Sequence, residues 1–433
     1  MITPTLCRVV LAGALMIATS LMAAENTPPV PLKDAEGRTL RRAPTGHITN
    51  YYEEKAGSYV LPDPLVMANG AAVRDADAWF SQRRPELFER YETEIYGRVP
   101  TRAPTVAFEV VEDVEVLHGI ARRKRIVGRF GDKADGPAVN VMLYRPALAT
   151  GPLPLVLHIS FGGDPALPLP AGTPPRRFSD MGPAPEILSR GYAYAVVRYT
   201  EIQADTKDGY TGGVIGLALA PGQEKPAPDE WGTIAAWTWG LSRIMDYLET
   251  EPTVDAQRVA LVGHSRLGKT ALWSGASDPR YALIYASQSG EMGAALSRRD
   301  FGETVDDMAA NYGYQFAGNL QKYPGRWNEM PHEGHLLISL SAPRPVFISA
   351  ANGDMWSDPH GQFLAVVAAG PVWRLLGKPD LGTTERPALD VPVSGGTLAF
   401  LENKGPHIIS PLDWRTFLDF ADRHLKATSA ARE

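Results

Sequence analysis

Short apolar runs recur along most of the chain, at residues 105–112, 122–130, 138–146, 153–161, 192–200, 258–265, 281–289, 344–351 and 397–403. The later ones are continuously apolar, the pattern of strands buried on both faces. Helical spacing replaces it in "DADAWFSQRRPELFERYETEIYG" (75–97), "DEWGTIAAWTWGLSRIMDYLETEP" (229–252) and "RLGKTALWSGASD" (266–278). Asp229 reads as the N-cap of the second. Strands alternating with helices predict a mostly parallel central sheet with helices on both faces, a three-layer α/β sandwich. The alternation runs unbroken to about residue 425, so one catalytic domain over 25–433 is expected, with an N-terminal arm at 25–100. The first part of that arm, 25–62, is rich in proline and charge and lacks a period. The Gly/Pro-rich stretch 201–228 is too long for an ordinary connection and reads as a functional loop.

The first 24 residues, "MITPTLCRVVLAGALMIATSLMAA", carry one arginine, a short apolar run and small residues before a polar stretch. That is the form of a signal peptide, and it predicts a secreted or periplasmic protein. Cys7, the single cysteine of the chain, lies inside it, so the mature chain is expected to hold no disulfide. A net charge of −6 gives no basis for nucleic-acid binding. No later apolar run reaches the length of a membrane span, so no membrane association is expected after cleavage. A monomer without metal or cofactor is expected.

The chemistry concentrates in "RVALVGHSRLGKTALW" (258–273), a strand running into a helix with Ser265 at the bend. A nucleophile elbow needs small neighbours where the backbone doubles back. Gly263 meets that need, but the second glycine, Gly268, comes one position late. A serine nucleophile requires a base, and the order expected in an α/β-hydrolase is serine, acid, histidine. His407, in "FLENKGPHIIS" after the last strand, is the first choice of base, and His360 the second. Asp354, in "SAANGDMWSDP", is the first choice of acid, with Asp358 and Glu291 as alternatives. His332 and His335 form "HEGH", which falls short of a zinc motif. The Arg266 amide and the loop "SFGGD" (160–164) are candidate oxyanion donors.

The elbow "GHSRLGKTALWSGASDPR" (263–280) resembles that of the bacterial glucuronoyl esterases, carbohydrate esterase family 15, which reads G-x-S-R-x-G-K with the same late glycine. The resemblance continues through "LPDPL" (61–65), "GAALSRRDFGET" (293–304), "SAPRPVFISA" (341–350), "DMWSDPHGQFLA" (354–365) and "HIISPLDW" (407–414). It implies an α/β-hydrolase fold and hydrolysis of esters between (4-O-methyl-)glucuronic acid of glucuronoxylan and lignin-type alcohols. It also implies Ser265 as nucleophile, His407 as base, and Arg266 as an oxyanion donor through its side chain too. Lys269 and Trp356 would contact the sugar, and Glu303 and Gln315 lie in the stretch where the family places further sugar-binding residues. Some members carry the acid soon after the strand following the elbow; the matching position here is Gln288, which leaves Asp354 for that role. An acetyl xylan esterase type of activity, or a catalytically silent glycan-binding relative, are the competing readings.

Overall fold

A computed structural model of the chain describes residues 32–133, 135–162 and 183–426. The signal-like segment 1–24 with Cys7, residues 25–31 of the arm, and Gly163 and Asp164 of the glycine loop lie outside them. The chain divides between Arg41 and Arg42 into two units. In the first, β1 (Leu32–Lys33) and β2 (Thr39–Leu40) pair antiparallel, and Asp34 accepts from the Arg38 amide at 2.7 Å to close the turn.

The second unit begins with an irregular stretch and a helical run. Asp75 caps α1 (Ala76–Ala78) by accepting from Ala78 N at 2.8 Å, and α2 (Arg84–Tyr91) follows. π-Helical turns at Trp79–Arg83 and Glu92–Tyr96 extend them, so the helix expected at 75–97 is present but locally widened. It stops at Gly97, whose φ is +91°; a Cβ there would meet Glu230 O at 2.2 Å.

Among the described residues, nine strands form one sheet: β3 (Val106–Val116), β4 (Ala121–Phe130), β5 (Ala138–Pro146), β6 (Leu153–Ser160), β7 (Ala193–Arg198), β8 (Val254–His264), β9 (Tyr281–Ser287), β10 (Val346–Ala351) and β11 (Leu398–Asn403). Their order is β11-β10-β9-β8-β6-β7-β5-β4-β3. β11 through β7 run parallel, and β5, β4 and β3 add an antiparallel flank. The sheet is therefore mixed, and the parallel part is the core of it. After β6 the chain steps to β7 on one side and to β8 on the other. Such a reversal opens a crevice at the carboxyl ends of the strands.

The helices that follow are α3 (Ala184–Ser189), α4 (Gly213–Ala218), α5 (Thr233–Leu248), α6 (Arg266–Ser277), α7 (Val305–Tyr312), α8 (Gly334–Ser339), α9 (Pro359–Leu375) and α10 (Pro411–Ala421). Strand alternation sorts them into two layers. Leu155, Leu157 and Ile159 of β6 share one buried cluster with α5, α6, α8 and α9. Val156, between them, belongs to the other, with Ile187 of α3 and Trp414 and Phe417 of α10. Helix α5 begins at Thr233 rather than near Asp229, with Gly232 as N-cap. Asp229 lies in a turn instead, closed by Glu230 N donating to Ala227 O, and Glu230 bridges Arg98: Asp229 O accepts from Arg98 N, and Trp231 N donates to Arg98 O. No helix among the described residues is long and apolar enough to cross a membrane.

Candidate active site

Ser265 sits between β8 and α6 with φ 59° and ψ −128°, a conformation that strains any residue but glycine. The surroundings hold it there. Its N–H donates to Ser287 O at 2.8 Å, and its carbonyl accepts from Gly268 and Lys269 as the helix opens. Both glycines of the motif are now accounted for. A Cβ on Gly263 would lie 2.0 Å from Leu267 O, and one on Gly268 would crowd Ser287 O and Ser289 Cβ at 3.0 Å. Helix α6 thus packs onto β8 at Ser−2 and onto the end of β9 at Ser+3. Leu267, at Ser+2, is fully buried in the core. The Arg266 amide is in the first turn of α6, where no helical carbonyl can receive it. It forms no hydrogen bond among the described residues.

His407 follows β11, and its Nδ1–H donates to Asp354 Oδ2 at 2.6 Å. Asp354 follows β10 and is nearly buried, while His407 is partly exposed. That leaves Nε2 of the ring for proton transfer. The His407 ring lies 4.4 Å from that of His264, the residue before the serine. Burial, then the His407 charge, holds the His264 imidazole well below its usual range, so it packs as a neutral ring. The alternative acids are engaged elsewhere. Asp358 caps α9 through Gly361 N at 2.9 Å and pairs with Arg299 at 2.9 Å. Glu291 accepts from Ser297 Oγ at 2.6 Å, and burial pushes its carboxyl well above the usual range. Gln288 (φ 46°) stands at the end of β9 and donates from Nε2 to Ile408 O at 2.7 Å, bracing the loop that carries His407. The second-choice base, His360, pairs with Glu53 at 3.2 Å. His332 and His335 are interior, and burial lowers them to about 3 and about 4.

Two cationic side chains leave α6 beside the serine. Lys269 is buried, donating to Ser289 O at 2.6 Å and Glu303 Oε1 at 3.3 Å. Burial raises the Glu303 carboxyl, and Lys269 opposes that rise. Glu303 also accepts from Glu291 N at 2.9 Å and donates its own N–H to Trp356 O at 2.8 Å, so these residues form one group. Arg266 takes another direction. Its Nη1 donates to Asp205 Oδ2 at 2.5 Å, and its guanidinium lies 5.3 Å from the Tyr312 ring and 6.0 Å from the Phe161 ring. Gln315 joins Arg266's side of the site: its Nε2 donates to Asp205 Oδ1 at 2.8 Å. Asp205 escapes a sequence reading; the only signal is its place in the long irregular stretch 201–228. In the glycine loop, Gly162 O accepts from Arg198 Nη2 at 3.0 Å.

The chain is similar to known esterases. A family model described as "Glucuronyl esterase, fungi" matches residues 226–377. A carbohydrate esterase of an unknown prokaryotic organism is 35% identical over 399 residues, 87% of this chain and 92% of its own length. The solved structure of a glucuronoyl esterase from Solibacter usitatus is 42% identical with a TM-score of 0.81, over 86% of this chain and 100% of that one. One from Teredinibacter turnerae is 34% identical with a TM-score of 0.79, over 89% and 96%. The chain belongs to the glucuronoyl esterases of carbohydrate esterase family 15, carboxylic ester hydrolases built on the α/β-hydrolase fold.

Proposed function

We propose that the protein hydrolyses esters of the carboxyl group of glucuronic acid, or its 4-O-methyl ether, on glucuronoxylan, releasing lignin-type alcohols through a serine-bound acyl intermediate. The observation that carries this reading is the 2.6 Å contact from His407 to Asp354, with the His407 ring against His264, the neighbour of a strained serine that opens a helix carrying two cations in its first turn. His407 Nε2 takes the proton as Ser265 Oγ attacks the ester carbonyl. Asp354 holds the ring and offsets its positive charge. The oxyanion is met by the Arg266 amide and guanidinium, donors suited to charge that develops only in the transition state. The alcohol leaves with the proton from His407. Water, activated by the same ring, then releases the uronate and restores Ser265. Lys269, Glu303 and Trp356 form the sugar side of the site.

In this reading residues 1–24 direct export, and 25–433 form a single functional domain. The test is hydrolysis of benzyl glucuronate against an acetylated xylo-oligosaccharide, by the wild type and Ser265→Ala. Cleavage of the uronate ester, lost in the variant and with little deacetylation, is expected. Deacetylation without uronate cleavage would overturn the substrate; serine-independent turnover would overturn the mechanism.

A further inference from the structure

Arg266 carries a task that its side chain is poorly suited to perform alone. A guanidinium at the end of a flexible stem loses rotamer entropy when it is fixed. Oxyanion donors are effective when they are already in place before the charge appears. Something must therefore hold this one, and the surroundings identify what does.

Asp205 stands in the stretch after β7, and its side chain is only 8% exposed. Its carboxylate is saturated with donors from three directions. Oδ2 accepts from Arg266 Nη1 at 2.5 Å and from Tyr199 OH at 2.9 Å. Oδ1 accepts from Tyr314 OH at 2.9 Å and Gln315 Nε2 at 2.8 Å. Burial, followed by the Asp205 charge, pushes both phenols above their ordinary range, so they remain donors. Three of the four donors come from outside α6, so the anion is anchored without Arg266. Nη1 is bound to that anchor and the rings of Tyr312 and Phe161 are nearby; among the described residues Nε and Nη2 make no hydrogen bond, which leaves them for an acyl oxygen.

We infer that Asp205 is a positioning residue for the reaction, an anchored carboxylate that fixes the Arg266 guanidinium as an oxyanion donor. The inference rests on the function proposed above. It also decides between two opposed physical effects. A carboxylate next to the arginine weakens the positive field at the oxyanion, so removing it would speed the reaction if field strength ruled. It orders the donor, so removing it slows the reaction if geometry rules. The three donors that anchor Asp205 without Arg266 argue for geometry.

A double-mutant cycle on benzyl glucuronate tests this, with Asp205→Asn, Arg266→Ala and the pair, and thermal midpoints recorded for each. Asp205→Asn is expected to lower kcat about 10- to 100-fold with KM changed less than about threefold. In the Arg266→Ala background the same substitution is expected to change kcat less than about threefold, because there is no guanidinium left to hold. A merely structural role would act equally in both backgrounds, so additivity overturns the inference. So does an unchanged or raised kcat in Asp205→Asn. Should Asp205→Asn lower the midpoint sharply, the milder pair Tyr199→Phe and Tyr314→Phe loosens the anchor and must show the same Arg266-dependent loss. If Arg266→Ala itself keeps full kcat, the oxyanion assignment fails together with the inference. If it loses kcat while Asp205→Asn does not, the inference fails alone.

Discussion

Charge has different work at the two ends of β8, β9 and β10. At their amino ends, Arg344 donates to the carbonyls of Gly275, Asp278, Tyr281 and Ser341, and Arg84 to those of Ala276 and Leu340. These carbonyls include the ends of α6 and α8, where cations suit the helix dipole. Arg280 nearby is held by Asp278, Asp246 and Glu249. At the carboxyl ends of the same strands, four residues other than glycine take positive φ: Ser265, Gln288, Met292 and Asp358. None of the positive-φ residues other than glycine, among those described, falls in the turns entering β8, β9 or β10. Strain and buried charge that serve no obvious packing purpose gather at one end, which is where function is to be sought.

The sharpest way to break this comparison is at the carboxyl end. His407→Ala is expected to lower kcat on a uronate ester about 10³- to 10⁴-fold, and Asp354→Asn to a similar or smaller extent. Neither is expected to shift the thermal midpoint much, since His407 is partly exposed and an asparagine keeps the shape of Asp354. Steady-state kinetics with a midpoint for each variant checks both. Full kcat in Asp354→Asn would remove the acid role from the carboxylate bonded to His407.

The opposite substitution belongs to the amino end. Arg344→Ala is expected to destabilise the protein by about 2–4 kcal/mol, because several buried carbonyls lose a charged donor at once. Its kcat is expected to stay within about twofold of wild type. Denaturant titration and kinetics on the same preparation would expose any coupling between the two ends.

Much of this division could be read in the chain beforehand, and the reasons differ by element. Strands such as 153–161 and 397–403 announce themselves because burial on both faces demands unbroken apolar runs. Ser265, Asp354 and His407 are legible because the fold ties each to the end of a particular strand. The helix cap expected at Asp229 falls at Gly232, since the bridge of Glu230 to Arg98 depends on a partner 132 positions away in the chain. The same distance problem hides Asp205: nothing in its neighbourhood of the sequence points to Arg266, Tyr314 or Gln315. Gln315, expected among the sugar-binding residues, donates to Asp205, a partner its stretch of sequence does not announce. The exclusion of Glu291 and Asp358 as acids also had to wait for Ser297 and Arg299, partners that only the folded chain supplies.

The smallest expected effect concerns one serine shared by two buried titratable groups. Ser297 Oγ donates to Glu291 at 2.6 Å and lies 3.5 Å from His332 Nε2. Burial acts on both in opposite senses. It holds His332 neutral, at about 3, with the Arg298 and His335 charges adding to the effect. Below the ordinary histidine range near 6.5, the unfolded chain takes up a proton that the native His332 does not. This part of the stability is therefore present above pH 6.5 and is lost as pH falls. Burial raises Glu291 instead, with Glu333 and Glu303 repelling its ionised form. Its share is present below about pH 4.5 and is lost as pH rises, because the unfolded chain ionises first. Each group contributes a slope of up to about 1.4 kcal/mol per pH unit. His332→Gln should accordingly gain on the wild type as pH drops from 6.5 to 5, and Glu291→Gln should gain as pH rises from 5 to 8. Chemical denaturation across that range reads both slopes. Parallel curves for wild type and variants would mean that neither group is held in its uncharged form, and that water reaches Glu291 and His332.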